Sequence, residues 1–226
     1  DIADGLLKQY DVVYFAGEWI DHRLPAKLES WVKDGGILYA SAGCGIRNEF
    51  NEPEAGLLKV LGLKAADKLR KDLAVIRPSL ELPPAKAIDT MTMDGATIPA
   101  IGLRQTLDPA GATVLATWAD GSAAATEHTL GKGKAYAIGT LPGCIYMKSG
   151  LPVQPFARGG NRCPVAPINF DAAATKLAQP GVAARPIVEA VVCDNPYVEG
   201  IVMDGAKGSV VTLVNWTSEP IAGLQI

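Results

Sequence analysis

The chain has 226 residues, 48% of them apolar, with 21 basic and 24 acidic side chains and a formal net charge of −3. That is enough chain and enough apolar content for a real core, which argues against disorder. No Lys/Arg cluster offers a footprint for nucleic acid or an anionic membrane, and no run of 18 apolar residues spans a bilayer.

In chain order, DVVYFAG (11–17) is a short continuous apolar run ending in glycine, as expected of a strand buried on both faces of a parallel sheet. A helix follows at about Pro25 to Asp34. Proline suits its first turn, and Leu24, Leu28, Trp31 and Val32 share one face. Gly35 and Gly36 end it, and GILYASA (36–42) reads as the next buried strand. Strand, helix and strand make a βαβ unit.

PEAGLLKVLGL (53–63) predicts a second helix. TMTMDGATIPAIGL predicts short strands around the turn Asp94-Gly95. ATVLATWA (112–119), SAAATEHTL and KAYAIGTLPG predict a meander, with turns at Asp120-Gly121 and Gly131-Lys132-Gly133. From Cys144 to Asn169 the chain is rich in Pro and Gly, which suits a functional loop or a linker. FDAAATKLAQPG (170–181) predicts a short helix stopped by Pro180 and Gly181. RPIVEAVVC, VEGIVMD, GSVVTLVNWT and IAGLQI then read as short strands of a small antiparallel β-domain. Three segments follow: an α/β domain over 1–150, a linker or loop with a short helix over 151–181, and part of a β-domain over 182–226.

Chemistry concentrates after the first two strands, where the C-terminal ends of parallel strands place ligands. Cys44, bracketed in SAGCGIRNEF, reads either as a nucleophile or as a small buried thiol. Glu18 and His22 follow the first strand, so Cys44, His22 and Glu18 form the candidate catalytic set. An activated thiolate needs a basic partner or a helix N-terminus. Against it, no helix starts directly after Cys44. Trp19, Arg47, Asn48 and Glu49 are the candidate ligand contacts, with Trp19 a platform for a sugar ring. Trp31 and Trp216 read as packing, and His128 as a cross-strand surface residue. Four cysteines without a CxxC pair and only two histidines suggest no metal site. No cofactor is expected. Cys144 and Cys163 could close the long loop by a disulfide.

LLKQYDVVYFAG, LPAKLESWVKDGGILYASAG and above all WADGSAAATEHTLGKGKAYAIGTLPG carry a family resemblance. The last holds Asp-Gly-x-x-Ala, then Gly-Lys-Gly-Lys-Ala-Tyr, then an apolar strand ending in glycine. Over about residues 1–150 the chain resembles the class I glutamine amidotransferase-like fold. More narrowly, it is similar to the non-catalytic trimerisation (middle) domain of TIM-barrel β-galactosidases. VTLVNWT resembles the short β-domain that often follows in carbohydrate-related proteins. The resemblance implies an α/β fold with a flavodoxin-like parallel sheet and a β-meander, followed by part of a small antiparallel β-domain.

It also implies a non-catalytic accessory or oligomerisation domain of a larger, carbohydrate-related bacterial protein. Its partners would be a catalytic module of the same polypeptide or sister subunits, with carbohydrate a further partner. Export to the periplasm or medium is favoured over the cytoplasm. Such domains normally begin one strand and one helix before Asp1, so the chain is expected to be part of a longer polypeptide. Two alternatives stay open. One is a cysteine-dependent amidase or amidotransferase-like hydrolase using Cys44; the other is a sugar or small-ligand binding module.

Overall fold

The computed structural model describes residues 5–66, 70–71, 87–146, 172–183, 191–195, 197–216 and 219–226. A 3₁₀ turn, Leu6–Gln9, leads into β1 (Val12–Phe15) and the two-residue β2 (Trp19–Ile20). Next come α1 (Leu24–Lys33), β3 (Ile37–Ala40), β4 (Arg47–Asn48), α2 (Gly56–Val60), β5 (Leu63–Ala66) and β6 (Arg70–Lys71). The meander region holds β7 (Asp89–Met93), β8 (Ala96–Ala100), β9 (Leu103–Arg104), β10 (Leu107–Pro109), β11 (Thr113–Trp118), β12 (Ala123–Leu130) and β13 (Gly133–Ile138). Helices α3 (Pro142–Tyr146) and α4 (Ala172–Ala183) and the hairpin β14 (Val198–Gly205) and β15 (Gly208–Asn215) complete the described elements.

The main sheet runs β1-β3-β13-β12-β11-β7-β8, with β10 and β5 branching from β12. Only β1, β3 and β13 are mutually parallel, with Val12 opposite Ile37 and Ile37 opposite Lys134. Every other pairing in this sheet is antiparallel. The sheet is therefore mixed, and the fold is α/β with a strong β character; of the expected flavodoxin-like parallel sheet with a β-meander, three strands are parallel and the antiparallel strands belong to the same sheet. The βαβ unit and the meander stand in their expected order, with β13 ending at Ile138 rather than running on to Gly143, and the Asp94-Gly95 turn joins β7 to β8 with both residues at positive φ.

Strand alternation sorts the core into two layers. Leu38, Ala40, Ala135 and Ala137 face α1 and α2 through Leu28, Val32, Leu57 and Val60. Ile37, Tyr39, Tyr136 and Ile138 face the other way and join Met91, Ile98 and Leu177. Helix α4 touches both β1 and β8, which lie at opposite ends of the strand order. The sheet thus curls so that its antiparallel end and α4 close over one face.

The Gly131-Lys132-Gly133 turn owes its glycines to this packing. A Cβ on Gly133 would sit 2.1 Å from the Val32 carbonyl oxygen, and one on Gly131 would sit 2.6 Å from that of Lys33. The Lys132 N–H donates to the Lys33 carbonyl at 2.9 Å. The motif seats β13 against the end of α1 and is a packing device.

Several expectations are corrected. The second helix is confined to Gly56–Val60. Pro53 bridges to Arg47 instead, and Gly62 at φ 64° leaves the helical region. Helix α4 does not stop at Pro180 but continues to Ala183. Proline removes one helical donor, yet tertiary contacts hold the last turns. The Tyr39 hydroxyl donates to the Leu177 carbonyl at 2.6 Å and the Tyr14 hydroxyl to that of Ala178 at 3.0 Å. Of RPIVEAVVC, residues 185–190 lie outside the described residues and 191–193 form no strand; IAGLQI forms none either.

Candidate functional site at the ends of the parallel strands

Beyond the C-terminal ends of β1 and β3 the chain makes two loops, stitched together by the small parallel pair β2–β4. Trp19 stands opposite Arg47 and Ile20 opposite Asn48. Ile20 is buried in the core and Trp19 points outward, 57% exposed. This alternation brings the ligand candidates Trp19, Arg47, Asn48 and Glu49, with His22, to one edge of the molecule.

Asn48 is the internal hub of the second loop. It is buried, its side-chain oxygen accepts from the N–H groups of Phe50 (3.0 Å) and Glu52 (2.9 Å), and its amide donates to the Glu52 carboxylate at 3.0 Å. Arg47 donates to the Asn51 carbonyl at 2.9 Å. These bonds hold Asn51 at φ 64°, and the Asn51 side-chain oxygen accepts the Trp19 indole N–H at 3.3 Å. Asn48 and Arg47 therefore build the loop, and Trp19 is the residue of the four that presents a free face. Phe50 was missed by sequence reasoning. It is 70% exposed, with its ring 6.4 Å from the His22 ring. Its signal was an aromatic residue stranded in the polar run IRNEFNE.

His22 is turned toward Glu49. The Glu49 carboxylate accepts from the His22 backbone N–H at 2.9 Å and lies 2.5 Å from its Nδ1. Donation from the backbone N–H groups of Glu49 itself and of His22 holds the Glu49 carboxyl below its ordinary range. Asp21 is held low chiefly by the Arg23 side chain, which donates to both of its oxygens. Asp21, His22 and Glu49 place one ligand atom each within 4.8 Å of one another. Both carboxylates are already engaged as hydrogen-bond acceptors, Asp21 by the Arg23 side chain and Glu49 by the His22 backbone N–H.

Cys44 sits in the tight loop after β3, with Gly43 at φ 76° and Gly45 at φ 60°. It is buried, its thiol donates to the Phe15 carbonyl at 2.7 Å, and Ser41 Oγ lies at 3.5 Å. Burial pushes the thiol up from its ordinary value, outweighing the hydrogen bonds from Ser41 and the Gly17 region. Gln105, buried on the neighbouring segment, accepts the Gly43 N–H at 3.0 Å and so pins this loop. Glu18 receives the Arg47 N–H on its backbone carbonyl at 2.9 Å. The Cys44 thiol and the His22 imidazole thus face different partners, the Phe15 carbonyl and the Glu49 carboxylate. Cys144 is a free thiol, and Cys163, its suggested disulfide partner, lies outside the described residues.

Other side chains also fall differently from expectation. His128 is half-buried, with Nδ1 2.9 Å from the Val60 carbonyl and its ring packed over Gly62. Trp216 is exposed, its indole N–H reaching the Glu199 carboxylate at 3.2 Å. Trp31, by contrast, packs against the core as expected and donates to the Tyr10 carbonyl at 3.3 Å.

Residues 4–149 match the family model described as the β-galactosidase trimerisation domain. The chain belongs to that family. Among solved structures it is similar to Gan42B, a GH42 β-galactosidase from G. stearothermophilus, at a TM-score of 0.67 and 15% identity over 94% of this chain and 27% of that one. A β-galactosidase from the psychrophilic Marinomonas ef1 gives 0.54 and 14% over 94% of this chain and 25% of that one. At these identities the likeness is one of fold. The chain spans about a quarter of the length of those enzymes. No curated protein matches it. As a member of the trimerisation family the chain is a non-catalytic accessory domain of a carbohydrate-related protein. Among the described residues no helix is long and apolar enough to cross a membrane.

Proposed function

We propose that the chain joins sister copies of a β-galactosidase-type polypeptide into a trimer, with residues 1–150 as the joining unit and the catalytic module elsewhere in the same polypeptide. The observation that carries this reading is the family match across residues 4–149. The site chemistry supports it. The buried thiol of Cys44 is bonded to a backbone carbonyl, and the imidazole of His22 is bonded to Glu49. A nucleophile needs an ionised, accessible thiolate beside a base. We also read the three parallel strands and the glycine-bracketed loop at Cys44 as the reduced form of an amidotransferase-like, flavodoxin-like sheet whose elbow has lost its chemistry.

The test is mass by light scattering on the intact protein carrying residues 1–226. Three copies per particle at micromolar concentration is the expected result. A monomer across the accessible concentration range overturns the reading.

A further inference from the structure

We infer that Trp19 and Phe50 form the centre of the surface on which this domain meets a second copy of the chain. The inference rests on the trimer reading above and names its contact. Within the family-matched region, the exposed large apolar side chains among the described residues are Tyr10, Tyr14, Trp19, Phe50 and Val114. Tyr14 is already engaged: its ring lies 4.7 Å from that of Tyr39 and its hydroxyl bonds α4. Tyr10 and Val114 sit on different elements. Trp19 and Phe50 share one stitched loop pair, and the His22 ring lies beside Phe50.

Three features make this pair an anchor. Its loops are locked before any partner arrives, through Asn48, Arg47 and the positive-φ Asn51. Aromatic side chains on a fixed backbone have only two side-chain torsions to order on binding. The one polar atom of the Trp19 ring is bonded to Asn51, so the rings can be covered without orphaning a donor. The rim carboxylates are engaged internally, Asp21 by the Arg23 side chain and Glu49 by the His22 backbone N–H. A partner need bring no counter-charge, which favours an apolar protein face over a phosphate or a nucleic acid. Tryptophan and other large rings at the centre of a patch, ringed by polar groups, are the usual hot-spot composition. In a three-fold ring each copy offers one patch and receives it on a different one, so Trp19 and Phe50 need not face their own equivalents.

The experiment uses the intact protein. Trp19→Ala, Phe50→Ala and the double variant are followed by sedimentation through a dilution series, with Tyr10→Ala as the control. Circular dichroism checks the fold, and Phe50→Asp supplies a second variant at a position that the monomer leaves exposed. Trimers of the wild type and of the control should persist at dilutions where the double variant dissociates, with a shift in midpoint of roughly tenfold or more. A wild type that is monomeric throughout overturns the trimer reading and this inference together. A wild type that is trimeric, with a double variant of unchanged midpoint, overturns this inference alone. The same holds if galactose or lactose quenches Trp19 fluorescence while the double variant stays trimeric, since the rings would then be a sugar platform.

Discussion

Two regions of the molecule use nearly the same apolar letters and meet opposite fates. In β3, Ile37, Leu38, Tyr39 and Ala40 are all buried, covered by α1 and α2 on one face and by α4 and the curled meander on the other. In the hairpin β14–β15, Ile201, Met203, Val210, Val211, Leu213 and Val214 are all exposed, although the eight residue pairs from Val198–Asn215 to Gly205–Gly208 are in register. Backbone pairing alone therefore does not make a core. A two-stranded ribbon is marginal unless something packs on it, whereas β3 is held by two layers. The family match covers the first region and ends before the second.

The sharpest way to break this comparison is to remove a group that only a closed core could tolerate. Arg104 is nearly buried where the meander curls. It donates to Asp89 at 3.0 Å and to Asp120 at 2.9 Å, bonds Thr106, and lies 4.8 Å over the Trp118 ring. Arg104→Ala leaves the partly buried Asp89 carboxylate without its guanidinium partner. Breaking a buried pair from one side costs about 3–5 kcal/mol; with Asp89 only partly covered the cost should lie near the low end, about 3 kcal/mol, and urea unfolding should show it. A cost below about 1 kcal/mol would mean that the curl is open to water.

A paired substitution sharpens the contrast. Leu38→Ala removes a fully buried side chain between α1 and the sheet and should cost about 3 kcal/mol, within the usual range for such truncations. Val211→Ala on the hairpin should change stability by about 0.5 kcal/mol or less. If Val211→Ala instead approaches the cost of Leu38→Ala, the hairpin is covered in solution, and the difference between the regions is one of partners rather than of packing.

How much of this was legible depended on range in sequence. The βαβ unit could be read because its signals are local: Pro25 in the first helical turn, Leu28 and Val32 on one face, Gly35 and Gly36 at the end. The turns at Asp94-Gly95 and Asp120-Gly121 carry their own chemistry. The placement of β13 beside β3 could not be read, since that pairing joins residues about 100 apart through the whole meander. Helix α4 ran past Pro180 because Tyr14 and Tyr39, far upstream, hold its last turns. At the site, Trp19 and the loop 47–49 were legible as polar and aromatic residues at strand ends. Their sorting into builders and presenters was not, because β2 and β4 are only two residues long and leave no periodic trace. His128 was misjudged because its packing partner is Gly62, on another element.

The smallest expected effect concerns the cysteines and tests whether coverage reaches the strand ends. Cys44 is buried in the family-matched region, while Cys193 lies next to the exposed hairpin and is only partly covered. Iodoacetamide at neutral pH should label Cys193 roughly tenfold or more faster than Cys44, since the thiolate and its access set the rate. The pH dependence has a definite sign. Burial raises the Cys44 thiol in the folded protein above its unfolded value, near about 8.5. Stability from this group is therefore complete below about pH 8.5 and is lost as pH rises through the folded value. Cys144, also raised by burial, acts in the same direction. The informative quantity is thus the wild type minus Cys44→Ser in urea, measured at pH 7 and again at pH 10. That difference should shrink at the higher pH. A difference that grows with pH, together with Cys44 labelling at least as fast as Cys193, would show an accessible thiolate at the end of β3 and return the cysteine-hydrolase reading to the front.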